Sequence, residues 1–123
     1  MIVLDAAIVV ELLTGGPLSG SLRQDLARRA DSFIVPQLLD AEVVSAIRGL
    51  VAGQRIAHRS GQLLKTHADL PAERFAHTPR LQRAWELRHY FAAYDAVYIA
   101  MAEATNAVRY KSDEKLSRGH RAR

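Results

Sequence analysis

The first sixteen residues, MIVLDAAIVVELLTGG (residues 1–16), join a short apolar run to a helical pattern. MIVLD is typical of a short buried strand. AIVVELL is typical of a helix, which ends at TGGP because two glycines and Pro17 cannot continue one. Asp5 therefore follows a predicted strand inside an otherwise apolar stretch. A carboxylate in that position needs a partner, because an unpaired charge near the core is costly.

The same alternation of strand and helix continues along the chain. FIVP predicts a second buried strand, ERFA a weaker one, and AVRYKSD another. Periodic or continuous apolar patterns between them predict helices over SGSLRQDLARRA, QLLDAEVVSAIRGLVAGQ, about His58 to Ala68, LQRAWELRHY and DAVYIAMAEA, and EKLSRG begins a last helix. In QLLDAEVVSAIRGLVAGQ the apolar face is expected to include Val43, Val44, Ile47, Leu50 and Val51. Strands separated by helices of this length favour a mainly parallel sheet covered on both faces.

Composition indicates one globular domain over residues 1–123, because 123 residues with 49% hydrophobic content suffice for a single core. The basic segment from about residue 117 is expected to fray. Apolar runs fall short of the roughly 18 residues of a membrane span, and no basic start precedes the first one, so we expect a soluble, cytoplasmic protein. The chain has no cysteine, which excludes disulfides, thiolate metal sites and a cysteine nucleophile.

Charge favours a polyanionic partner without requiring one, since 17 Lys and Arg against 13 Asp and Glu give a net charge of +4. Excess arginine that merely keeps the surface soluble explains the same balance. Aromatic residues make up only 7% of the chain and offer no evident stacking ladder, so any nucleic-acid contact is expected to be mainly electrostatic. We expect core or boundary positions for the aromatics of the densest run, which are Trp85, Tyr90, Phe91, Tyr94 and Tyr98.

Three further acids occupy positions comparable to that of Asp5. Glu42 lies about one turn into the helix after FIVP, Asp95 begins the helix DAVYIAMAEA, and Asp113 follows VRYKS. The carboxyl ends of parallel strands form the usual ligand edge of such a sheet. The four acids could therefore converge in one cleft, although the sequence does not determine the strand order.

Converging carboxylates repel one another and need a cation. Mg²⁺ or Mn²⁺ fits an all-oxygen donor set and could activate water for phosphodiester hydrolysis, as a nuclease requires. Each acid also has an ordinary structural explanation. Asp5, Asp95 and Asp113 could each cap a helix, and Glu42 could be a solvated side chain beside the small residues Ser45, Ala46 and Gly49.

The chain resembles the PIN-domain ribonucleases, and among them the VapC-type toxins of bacterial toxin-antitoxin pairs. The matching stretches are IVLDAAIVVELL, VPQLLDAEVVSAIR, LQRAWELRHYFAAYDAVYIAMAEA and KSDEKL, with AYDAVYIAMAE the most specific. The resemblance implies an α/β/α sandwich and metal-dependent endoribonuclease activity. It also implies a homodimer and inhibition by an antitoxin segment that lies in a groove beside the active site. Carried over by position, Asp5, Glu42, Asp95 and Asp113 would be the catalytic residues and ligands of Mg²⁺ or Mn²⁺.

Three departures from the family pattern keep a second hypothesis open. Ala7 stands where the family commonly has Ser or Thr, Lys111 stands where it often has Thr, and the chain stops ten residues after Asp113. Lys111 could pair with the acids, compete with the metal or hold a phosphate, or it could simply point to solvent. The alternative function is a catalytically impaired PIN-like domain that binds a protein or RNA without efficient cleavage.

Overall fold

The computed structural model describes residues 1–29 and 31–110, apart from the side chains of His58 and Arg59. Within these residues a four-stranded sheet has the order β3-β2-β1-β4, and every neighbouring pair is parallel. The strands are β1 (Ile2–Val3), β2 (Phe33–Pro36), β3 (Ala72–Phe75) and β4 (Val108–Arg109). The predicted parallel sheet is confirmed, and ERFA, the weakest strand prediction, is part of its edge.

Six α-helices connect and cover these strands in the described part of the chain. They are α1 (Ala6–Thr14), α2 (Ser19–Arg29), α3 (Leu38–Ala52), α4 (Leu63–Ala68), α5 (Leu81–Glu86) and α6 (Ala93–Thr105), with 3₁₀ turns at His58–Gln62 and Thr78–Arg80. The predicted three-layer α/β/α arrangement is confirmed. The predicted strand end after Tyr110 and the predicted helix at EKLSRG lie outside the described residues.

The first strand-to-helix connection forms as the opening residues predict. Asp5 is the N-cap of α1, and its side-chain oxygen accepts a hydrogen bond from the Ile8 backbone N–H over 3.1 Å. The helix ends at Gly15, whose left-handed backbone (φ 65°) lets its N–H reach the Glu11 carbonyl. A residue with a Cβ would be strained in that conformation. Asp5 is therefore held between a buried strand and a capped helix.

The core lies where α3 and α6 pack on the central strands. Val35, Leu39 and Val43 have no measurable exposure, and Met101 of α6 joins the same cluster. The prediction that DAVYIAMAEA is buried is confirmed, since six residues of α6 are buried. Val44 was wrongly predicted to share the apolar face of α3. It is 48% exposed, because it lies about 100° around the helix from Val43.

Helix α5 is shorter than LQRAWELRHY predicts, because the chain turns after Glu86. Leu87 is buried, and its carbonyl accepts hydrogen bonds from both the Tyr90 and Phe91 N–H groups. Only Tyr98 of the predicted core or boundary aromatics is deeply buried, whereas Trp85 is 61%, Tyr90 79% and Tyr94 60% exposed. That prediction was wrong for these three residues and for Phe91, which is 39% exposed.

None of the helices in the described ranges is long and apolar enough to cross a membrane.

Candidate active site

Two of the predicted acids lie at the same edge of the sheet because β1 and β2 are parallel neighbours. Asp5 follows β1 directly as the cap of α1. Glu42 is the fifth residue of α3, which begins right after β2. An acidic residue therefore follows the carboxyl end of each of these two strands. Open α/β sheets bind their ligands at this edge.

The carboxyl of Glu42 is the acid of this site on which its neighbours act most clearly. Its side chain is half-buried. Burial raises the pKa of the Glu42 carboxyl, a hydrogen bond from Tyr98 partly offsets this, and the charges of Asp95 and Asp5 raise the pKa further. Asp5 and Asp95 are thus near enough for their charges to act on the Glu42 carboxyl.

Tyr98 is the site residue that reasoning from the sequence missed. Its buried hydroxyl donates a hydrogen bond to Glu42 Oε1 over 2.7 Å. Burial raises the pKa of Tyr98, and its hydrogen bond to Glu42 together with the charges of Glu42, Asp5 and Asp95 raises it further, so the phenol stays protonated and acts as a donor. A signal was present in the sequence. Tyr98 lies three residues after Asp95 on the same helix, a spacing that puts both side chains on one face.

Asp95 lies in the first turn of α6 and is exposed. The helix begins at Ala93 and its N-cap is Ala92, so the alternative that Asp95 caps this helix was wrong. For Asp5 the capping alternative is confirmed, and the same residue also contributes charge to the site. Asp113 and Lys111 lie outside the described residues.

A cleft of about 1060 Å³ lies between α1 and α3 beside these acids. Tyr94, just before Asp95, lines it together with Glu42 and Ala7. The sequence suggested that the small residues near Glu42 would leave a cavity above it, and Ser45, Ala46 and Gly49 do line this cleft. Glu42 is therefore not a plain solvated side chain, since it faces a concave and partly apolar surface.

The chemistry of this donor set fits a hard divalent cation. Asp5, Glu42 and Asp95 offer only oxygen, and a shared cation would offset the charges of Asp95 and Asp5, which add to the effect of burial on the pKa of Glu42. The described side chains contain no group of three His, Cys, Asp or Glu residues already arranged around one point. Mg²⁺ commonly keeps several waters and takes only one or two protein carboxylates directly, so looser spacing suits it.

A family model of the PIN domain matches residues 2–121. The chain belongs to the PIN-domain family. The ribonuclease VapC9 of Mycobacterium tuberculosis is 36% identical to this PIN domain over 118 residues, which cover 95% of this chain and 89% of the relative. The resemblance to VapC-type proteins inferred from the sequence is thereby confirmed.

Two solved structures share the fold of this PIN domain. The crystal structure of VapC20 of M. tuberculosis, described as a toxin that cleaves the sarcin–ricin loop, matches with a TM-score of 0.71 at 16% identity and covers 97% of this chain and 95% of its own. VapBC2 of Rickettsia felis, solved bound to a DNA fragment from its promoter, matches with a TM-score of 0.64 at 17% identity and covers 96% and 92%.

Proposed function

We propose that this PIN domain is a metal-dependent endoribonuclease that serves as the toxin of a toxin-antitoxin pair. The observation that carries the proposal is the placement of Asp5 and Glu42 directly after two neighbouring parallel strands, beside one open cleft that Glu42 lines. The relatives named as VapC ribonucleases support the choice of RNA as substrate. Asp113 is proposed as the fourth acid from its position in the sequence.

A bound Mg²⁺ or Mn²⁺ would activate water and neutralise charge on the phosphodiester. The residues of the chain prepare the site for it. The N-terminus of α1 fixes Asp5 through the Ile8 N–H, and Tyr98 fixes one oxygen of Glu42. Asp95 is exposed at the start of α6, where its carboxylate can meet a ligand that arrives from solvent.

The partners of this proposal are an RNA substrate, a cognate antitoxin and a second copy of the chain. An antitoxin segment that occupied the cleft between α1 and α3 would cover Glu42 and exclude RNA. The structure of the VapBC2 complex supports an antitoxin as a partner class. The homodimer is proposed from the family resemblance alone.

The second candidate function, a PIN domain that binds without efficient cleavage, is favoured by one observation. Ala7 lines the cleft at the start of α1, where a hydroxyl would be expected in the family, so this wall carries a methyl group instead. In that case the protein would still bind metal or a partner, but it would turn over RNA slowly.

The deciding experiment incubates the protein with structured RNA and Mg²⁺ or Mn²⁺, beside samples with EDTA and an Asp5→Asn variant. Asparagine is as good an N-cap as aspartate, so the variant should keep α1 while it loses the charge. We expect cleavage only in the wild-type protein with metal. Cleavage that persists both in EDTA and in Asp5→Asn would refute the metal assignment. Metal binding without cleavage would favour the second candidate.

A further inference from the structure

The exposed aromatic side chains of this protein all lie in one short segment that leads into the candidate active site. Trp85, Tyr90, Phe91 and Tyr94 are between 39% and 79% exposed, and Asp95 comes next in the chain. We call residues Trp85–Tyr94 the aromatic segment. The other four aromatic residues of the chain, which are Phe33, Phe75, Tyr98 and Tyr110, are buried or partly buried.

The aromatic segment has a defined conformation. Leu87 anchors it in the protein, and the Tyr90 and Phe91 N–H groups both bond to the Leu87 carbonyl, so the chain turns tightly after Glu86. On the other side of the turn, the guanidinium group of Arg83 holds the Glu103 carboxylate with two hydrogen bonds of 2.8 and 3.1 Å, which ties α5 to α6. The exposed rings are therefore presented by a fixed backbone.

The segment also carries positive charge that is stacked on an aromatic ring. The Arg88 guanidinium lies 4.2 Å from the centre of the Trp85 ring, and one of its N–H groups donates to the Trp85 carbonyl. His89 follows directly. Aromatic faces combined with arginine are the surface chemistry that binds single-stranded nucleic acid, since bases stack on the rings and cations meet the phosphates.

We propose that the aromatic segment is a stacking platform for unpaired bases of the RNA that enters the cleft. The inference rests on the proposed ribonuclease function. Tyr94 connects the platform to the site, because it is exposed and also lines the cleft that contains Glu42. A strand whose bases stack along Tyr90 and Tyr94 would bring its backbone to Asp95. The low aromatic content predicted mainly electrostatic contacts with nucleic acid, and the platform would add stacking of bases to them.

The test measures binding of a short single-stranded RNA in EDTA, where metal-dependent cleavage is absent. Its partner probe is an abasic oligonucleotide of the same length and charge. Trp85 is the only tryptophan in the chain, so its fluorescence reports directly on the platform. We expect the RNA to quench Trp85 and to bind at least about five-fold more tightly than the abasic probe, as loss of a single stacked base predicts.

Substitutions in the aromatic segment test which side chains contribute to RNA binding. Tyr90→Ala and Trp85→Ala should each weaken RNA binding, measured by anisotropy of a labelled RNA, about five-fold or more. Tyr90→Phe and Trp85→Phe keep a ring and should bind almost normally. Val44→Ala, which removes an exposed apolar side chain from α3, is the matched control and should have no effect.

Equal affinity for RNA and abasic probe would overturn the platform. The platform proposal would also be refuted if Trp85→Ala left the RNA affinity unchanged but altered the sedimentation coefficient. The aromatic segment would then be a surface through which copies of the chain associate. Failure of the proposed function gives a different pattern. If base-dependent binding persists while RNA is not cut with any metal, the ribonuclease proposal fails and the platform stands.

Discussion

The Tyr98 hydroxyl donates a 2.7 Å hydrogen bond to Glu42 Oε1 and so joins the middle of α6 to the first turns of α3 at the candidate metal site. A carboxylate that is oriented in this way keeps a fixed direction for its remaining lone pairs. Removal of a residue that orients a metal ligand commonly lowers the affinity for the metal by about ten- to a hundred-fold.

Tyr98→Phe should therefore weaken Mn²⁺ binding by about ten-fold or more while the protein stays folded. Titration calorimetry with Mn²⁺ measures the affinity, and urea unfolding measures stability. Tyr110→Phe is the matched control, because the Tyr110 hydroxyl makes a similar 2.6 Å bond to Asp25 on α2. Equal Mn²⁺ affinity of Tyr98→Phe and Tyr110→Phe would show that the bond to Glu42 is only structural.

Ala7→Ser should increase the rate of RNA cleavage or the affinity for Mn²⁺, because it places a hydroxyl on the cleft wall next to the capped start of α1. The helix itself should lose about 0.5 kcal/mol, since serine is a poorer helix former than alanine. Ala6→Ser adds the same group one residue earlier and serves as the control. A gain of activity in Ala6→Ser but not in Ala7→Ser would contradict the assignment of position 7.

Ala92→Ser should stabilise the protein by about 1 kcal/mol. Ala92 is the N-cap of α6 and has an extended backbone (φ −62°, ψ 158°), but its side chain cannot accept a hydrogen bond from the first turn. A serine there can satisfy one of the free N–H groups that begin the helix. Chemical denaturation beside Ala93→Ser, where the hydroxyl enters the helix itself, checks this. Equal stability of both variants would speak against a capping effect.

Asp40→Asn should lower stability at neutral pH by about 1–2 kcal/mol, because Asp40 bonds to both Arg74 and His67 and is partly exposed. Burial alone would raise the pKa of Asp40, but the bonds from Arg74 and His67 outweigh it and hold the pKa below the ordinary 3.8. A carboxyl whose pKa is lower in the folded state stabilises the fold at pH values above its pKa in the unfolded chain. This stabilisation disappears as the pH falls through the pKa of the folded state.

The stability difference between wild-type protein and Asp40→Asn should therefore shrink below about pH 4. Unfolding in urea at a series of pH values measures it. Asp69→Asn, at an exposed acid that ends α4, controls for the general loss of one negative charge. A difference that stayed constant down to pH 2 would refute the role given to the Asp40 carboxylate.

The sequence predicted the sheet and most helices because their patterns are local. FIVP and most of DAVYIAMAEA are apolar enough to predict a place in the core, and the two glycines after AIVVELLT predict the end of a helix. Asp5 and Glu42 could be placed at one edge because parallel strands share their direction. These conclusions need only the spacing of the apolar residues and the direction of the parallel strands.

Features that depend on tertiary packing could not be predicted from the sequence. The order of the strands depends on contacts between distant elements, and the bond between Glu42 and Tyr98 joins residues 56 positions apart. Tyr90 is exposed beyond the turn after Glu86 that shortens α5, and Trp85 is exposed within α5 itself. Composition does not reveal which aromatic side chains face outward, and that exposure is the observation behind the proposed platform.

The measurement that decides whether these acids hold the metal that cuts RNA is the cleavage rate of Glu42→Gln beside Glu11→Gln, with saturating Mn²⁺. Both residues line the same cleft, but the Glu11 carboxylate already accepts the Leu18 N–H over 2.8 Å. We expect Glu42→Gln to lose at least about a hundred-fold in rate, as removal of a metal ligand does, and Glu11→Gln to cleave like the wild-type protein. Equal rates for Glu42→Gln and the wild-type protein would contradict the proposed site.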